Sequence, residues 1–146
     1  MRLAAAAALF AAAFSSSSLP VATAGQAPHQ HEAGAHRHPA AEKIKNPVPA
    51  DATSIASGKA LYAKHCTECH GDSGKGDGMM ADEYTPKPAD LTDAEWKHGS
   101  SDGEIFVVVR DGVKGTGMKA FGRKLTPHQI WDVVNFLRSI GPAKSH

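Results

Sequence analysis

Nowhere in this chain do twenty apolar residues follow one another. A membrane-crossing helix needs about that many, so no segment of the mature chain is expected to span a bilayer. Cysteine is scarce as well, with 2 residues among 146, which leaves room for one disulfide at most. Charge of one sign is missing too: the formal net charge is +1, and a nucleic-acid partner would call for a basic excess. Aromatic residues make up only 6 %. After residue 51 they are Tyr62, Tyr84, Trp96, Phe106, Phe121, Trp131 and Phe136. A unit this small is marginal on its own burial, so something other than side chains is expected to fill part of the core.

The N-terminus has a use other than folding. Met1-Arg2 is a short basic start, and residues 3–14 are almost pure Ala, Leu and Phe. Serines 15–18, Leu19-Pro20 and Ala22-Thr23-Ala24 follow, with small residues where a signal peptidase reads. This pattern predicts a signal peptide over 1–24, cleaved after Ala24, and a periplasmic or secreted protein. Residues 25–50 show no hydrophobic period and carry Pro28, Pro39, Pro47 and Pro49. Such a segment buries too little to offset its ordering entropy, so a flexible His/Pro-rich segment is expected there. No repeat follows, and one folded domain is predicted over 51–146.

Both cysteines fall in Cys66-Thr67-Glu68-Cys69-His70. A disulfide across two intervening residues closes too short a loop to stabilise much. A thioredoxin-type pair follows a strand, and nothing before Cys66 resembles one. His65, Cys66, Cys69 and His70 are zinc-ligand types, but structural zinc sites draw their pairs from separated segments. Covalent haem attachment uses every residue: the thiols add to the two vinyl groups and His70 faces the iron. The cofactor expected is one haem c.

An electron-transfer haem takes a second axial ligand from the chain downstream. His98, Met79, Met80, Met118, His128 and lysines are the candidates. Met118 lies in Gly115-Thr116-Gly117-Met118-Lys119-Ala120-Phe121-Gly122, where glycines allow the backbone to lie close to a flat ring. Met79 and Met80 are too near the attachment motif to cross easily to the opposite face. Met118 is therefore the expected distal ligand.

Cys66-Thr67-Glu68-Cys69-His70-Gly71, Pro88-Ala89-Asp90-Leu91, Gly117-Met118-Lys119-Ala120-Phe121 and an amphipathic C-terminal helix together resemble a bacterial class I cytochrome c. The resemblance covers about residues 57–140. It implies an all-α fold wrapped around one covalently bound haem, with His/Met axial ligation. It also implies a close crossing of the first and last helices, in which Gly58 and Tyr62 meet Val133 and Phe136. A proline carbonyl, Pro88 by its spacing to Leu91 and otherwise Pro86, is implied to accept the Nδ1–H of His70 and orient it. The sequence departs from the family in one place: Lys119 follows the methionine where most relatives have proline.

The helices are legible without the resemblance. Thr92-Asp93-Ala94-Glu95, Ser101-Asp102-Gly103-Glu104 and Thr126-Pro127-His128-Gln129 read as capping boxes. Ile130, Val133, Val134, Leu137 and Ile140 recur at helical spacing before Gly141-Pro142. An earlier helix is expected over about 53–66, with Ile55, Gly58, Leu61 and Tyr62 inward. Residues 105–109 are apolar enough for a buried strand, but the capping box before them and Gly112 after them favour helix.

Charge divides along the chain. Residues 51–104 hold eleven acids and five bases, and residues 105–146 hold two acids and seven bases. Lys114, Lys119, Arg123 and Lys124 flank Met118. They are either solvated loop charges or a cationic rim that steers a redox partner with an acidic docking patch. His29, His31, His36 and His38 could bind copper or zinc, although a solvated linker suits their surroundings better. The leading function is a periplasmic electron carrier, not an enzyme, acting as a soluble shuttle or as the cytochrome subunit of a redox complex. The alternatives are a haem enzyme, or a ligand- or metal-sensing module, with a labile sixth ligand. Familiar c-type haem peroxidases carry two attachment motifs and this chain has one.

Overall fold

Four backbone N–H groups at the start of a helix have no partner within it, and each long helix here begins with a side chain that answers one. Asp51 accepts from the Ser54 N–H at 2.8 Å. Ser101 and Thr126 each make a complete capping box with Glu104 and Gln129. A computed structural model describes residues 38–94 and 96–141, all in the second of the chain's two units, residues 31–146. The helices are α1 (Pro39–Glu42), α2 (Ala52–His65), α3 (Thr67–His70), α4 (Asp102–Asp111) and α5 (Pro127–Ile140), with a 3-10 turn at Ala81–Glu83. No strand occurs among the described residues, and residues 105–109 are helical.

Two of the local expectations need correcting. No helix follows Thr92 among the described residues. The Asp90 carboxylate takes both the Thr92 N–H, at 2.7 Å, and its hydroxyl, at 2.6 Å, and this local bonding offers the backbone an alternative to a helix start. The segment read as flexible is tied down at a few points of its described part, residues 38–50, most of which is exposed. Ala41 of α1 is buried, Val48 packs partly covered against the core, and Asn46 donates to Asn135 Oδ1 at 2.7 Å. Polar anchoring, invisible to a hydrophobic period, holds this stretch. The predicted signal peptide and His29, His31 and His36 lie outside the described residues.

The core lies between α2, α4 and α5. Phe106 stacks on Trp131 with ring centroids 4.2 Å apart, and Tyr62 tilts against Phe136 at 5.1 Å. Every residue from Ile130 through Leu137 is buried, Asp132 and Asn135 included. These two polar side chains are satisfied across the α2–α5 contact. Ser54 and Ser57 donate to the Asp132 carboxylate at 2.6 and 2.8 Å. Asn135 donates to Ser54 Oγ at 2.9 Å and reaches the carbonyls of Val48 and Pro49 at 3.2 Å. Gly58 is what allows the two backbones to approach: a Cβ there would stand 2.0 Å from the Asp132 carbonyl oxygen and 2.9 Å from Phe136 Cβ. The contacts of Gly58 thus run to Asp132 and Phe136.

Candidate functional site

The last turn of α2 delivers the chain into α3, and α3 carries both cysteines' surroundings. The Cys66 N–H closes α2 on the Tyr62 carbonyl at 2.8 Å, and the His70 N–H reaches back to the Cys66 carbonyl at 2.9 Å. Cys66, Cys69 and His70 therefore share one helical turn, each partly buried. Both thiols are free. Burial, and then the neighbouring Cys69, push the Cys66 thiol up to about 12, so the unmodified thiol stays protonated at neutral pH.

His70 is placed by a carbonyl. Its Nδ1 lies 3.0 Å from the Ala89 oxygen, so Nδ1–H is the donor and Nε2 keeps its lone pair. Burial lowers the imidazole pKa while the Ala89 bond opposes that shift. The resemblance implies a proline carbonyl as the partner, Pro88 or otherwise Pro86, and here the structure differs. The Pro88 carbonyl turns instead to the loop at Gly76, where a Cβ would stand 2.4 Å from it. Further along, the Leu91 N–H bonds the Gly74 carbonyl, and between them the Ala89 carbonyl faces the imidazole.

Met118 is partly buried and packs against the core cluster. Its loop is a closed turn. The Val113 N–H donates to the Met118 carbonyl at 3.0 Å, the Met118 N–H to Thr116 Oγ1 at 3.1 Å, and Thr116 Oγ1 to the Val113 carbonyl at 2.8 Å. The ring that its glycine lies against belongs to Tyr84, whose Cδ1 would be 2.4 Å from a Cβ on Gly117. Sequence reasoning had no means of finding Tyr84, because the contact joins segments distant along the chain. Met79 and Met80 are 86 % and 39 % exposed.

The donor set fits a covalently attached haem: free thiols and a neutral imidazole on one turn, with the imidazole's outer nitrogen engaged by a carbonyl. Zinc fits poorly. Among the described residues no three His, Cys, Asp or Glu side chains converge as a metal site, and the His65 ring lies against Phe121 at 5.8 Å. His65 does report on charge nearby. Its pKa is lowered by burial, then by its neighbour Lys64 and by Lys124 of the segment after Met118. Lys124 also lies 5.9 Å over the Phe121 ring. Lys114, Lys119, Arg123 and Lys124 are all exposed.

The cytochrome c family profile matches residues 55–141. The FixP subunit of the cbb3-type cytochrome c oxidase of Azorhizobium caulinodans is 26 % identical over 98 residues, 67 % of this chain and 31 % of that protein. The dehydrogenase subunit of the quinone alcohol dehydrogenase of Acetobacter aceti is 29 % identical over 96 residues, 64 % of this chain and 12 % of that protein. The chain thus spans less than a third of either. Among solved structures, a chain of a reducing HAO-like protein complex of Kuenenia stuttgartiensis superposes with a TM-score of 0.62 at 28 % identity, over 68 % of this chain and 50 % of that one. Cytochrome cL of Hyphomicrobium denitrificans shares the fold, with a TM-score of 0.54 at 23 % identity over 67 % of this chain and 53 % of that one.

Proposed function

This chain belongs to the cytochrome c family, with the all-α class I fold and a covalently bound haem c, and on that premise we propose that it is a periplasmic carrier of single electrons with His70 and Met118 as axial ligands. Cys66 and Cys69 hold the group by thioether bonds. The observation that carries the reading is the His70–Ala89 contact at 3.0 Å. It leaves Nε2 unprotonated and able to act as a ligand, on the turn that also bears both thiols. When bound, haem c supplies reversible one-electron chemistry at iron.

The protein's own residues do the rest. Ala89 fixes the tautomer of His70 and restricts rotation of its ring. The turn at Val113 through Met118 limits the positions open to the Met118 sulfur, which as an iron ligand would raise the potential and close the site to added ligands. Export to an oxidising compartment follows from the signal-like residues 1–24. Matches to subunits of an oxidase, a quinone dehydrogenase and a reducing complex support a role among redox proteins, either as a shuttle or as a cytochrome subunit. The basic rim of Lys64, Lys114, Lys119, Arg123 and Lys124 suits a partner with an acidic docking patch.

An absorption spectrum of both redox states, with and without carbon monoxide, tests the reading. A closed sixth position gives a low-spin haem c spectrum that carbon monoxide does not change. Rapid carbon monoxide binding by the reduced protein would move the assignment to a haem enzyme or ligand sensor.

A further inference from the structure

The electron-transfer reading places one docking rim at the Met118 loop, but the opposite charge is gathered elsewhere. Glu68, Asp72, Asp77, Asp82 and Glu83 follow one another along the chain, interrupted only by Lys75. Asp82 is neutralised by Lys87. Glu68, Asp72 and Asp77 are exposed and line a shallow groove together with Thr67, Gly78 and Met79.

Two features distinguish this groove from an ordinary solvated acidic surface. The first is apolar exposure. Among the described residues the large hydrophobic side chains classed as exposed are Ile44, Met79 and Met80, and Met79 at 86 % is the most exposed. Scattered exposed apolar residues need no explanation, but here two adjoin and one edges the carboxylate-lined groove. The second is rigidity next to the attachment turn. The N–H groups of Gly76, Gly78 and Met80 bond the carbonyls of His70, Cys69 and Glu68 at 2.9, 3.2 and 2.8 Å. The backbone on either side of Met79 is therefore fixed to α3, which carries the residues proposed to hold the haem.

From this we infer that the groove along α3 is a second docking surface, which takes a redox partner whose contact face is lysine- or arginine-rich and meets Met79 with an apolar residue. The inference rests on the electron-carrier reading. Charge complementarity selects the occupant: the carboxylates attract a basic face and repel the acidic one that suits the Met118 rim. An apolar centre inside a charged border is the arrangement that protein interfaces use. Opposite charges at two sites beside one haem let a donor and an acceptor be told apart without competing for the same contact. Methionine suits such a centre, because its flexible, polarisable side chain adapts to different surfaces.

The test uses the full haem-loaded protein and a lysine-rich peptide with a single leucine and an attached ruthenium(II) polypyridyl. Light-excited ruthenium(II) gives one electron to the ferric protein and recovers it as the ferrous protein is reoxidised. Binding is read from emission quenching and transfer from the haem absorbance. Variants are Glu68→Lys, Asp72→Lys, Met79→Asn and, as a reversal of equal charge away from the groove, Glu42→Lys. At low salt, Glu68→Lys and Asp72→Lys should each weaken binding about fivefold or more and Glu42→Lys less than about twofold, with the differences shrinking as salt rises. Met79→Asn should slow transfer within the complex or weaken binding at every salt concentration. Equal effects of all three charge reversals would reduce the attraction to net charge and overturn the inference, as would a silent Met79→Asn. Reduction by ascorbate and reoxidation by ferricyanide, one electron per protein, are followed separately. If those fail, the carrier reading fails; if they succeed while the peptide ignores the groove, only the second surface is lost.

Discussion

Met118 sits in a turn held by its own backbone and by the Thr116 hydroxyl, whereas Met79 stands in solvent. That difference supports Met118 over Met79 as the proposed iron ligand. Met118→Ala is expected to open the reduced protein to carbon monoxide and to lower the midpoint potential, because a thioether ligand favours the ferrous state. Met79→Ala and Met80→Ala should leave the spectrum as it is. Spectra and redox titrations of the three variants check this, and an unchanged Met118→Ala spectrum would mean that another residue is the distal ligand. Lys119, next to this methionine where the family resemblance implies proline, leaves φ at that position unrestrained. Lys119→Pro should therefore slow loss of the Met118 ligand, measured as slower capture of the ferric iron by added imidazole.

Between elements, the α2–α5 contact is closed by a backbone approach and a polar chain. Gly58→Ala places a Cβ 2.0 Å from a main-chain oxygen, and main chain cannot rotate away as a side chain can. The helices must separate, at a cost of about 3 kcal/mol, which for a domain this size lowers Tm by roughly 10 °C or more. Asn135→Leu tests the polar half. It keeps the volume but leaves the Ser54 hydroxyl and the carbonyls of Val48 and Pro49 without their donor. Unfolding of this variant by guanidinium should show a loss of about 2 kcal/mol. If stability is unchanged, water satisfies those groups and residues 46–49 are not anchored through Asn135.

Over the whole molecule, charge and cofactor act together. Lys119→Glu/Lys124→Glu should slow association with an acidic redox partner about tenfold at low salt, and the deficit should fade as the Debye length shrinks toward about 8 Å near 0.15 M. Stopped-flow rates across a salt series measure it, and a faster reaction at low salt would mean a basic partner. Protein made as Cys66→Ala/Cys69→Ala is expected to lack cooperative helical melting by circular dichroism, since the side-chain inventory around α3 is small for a core. A sharp transition near the wild-type midpoint would show that the three-helix packing suffices alone.

The attachment motif, the helix caps at Ser101 and Thr126, and the apolar period of α5 were all legible in the sequence. Each is a local pattern, in which residue types a few positions apart carry the physics. Thr92 read as a cap by the same rule, but an aspartate two residues earlier competes for its donors, and spacing alone does not rank the two arrangements. What only the tertiary structure decided are the encounters between distant segments. Ala89 supplies the carbonyl to His70 instead of Pro88, Tyr84 lies under Gly117, and Asn135 ties down residues 46–49. A carbonyl's direction depends on backbone dihedrals, and a long-range contact depends on how every intervening turn closes. Neither leaves a period in the chain, so both become visible only when the fold brings the groups together.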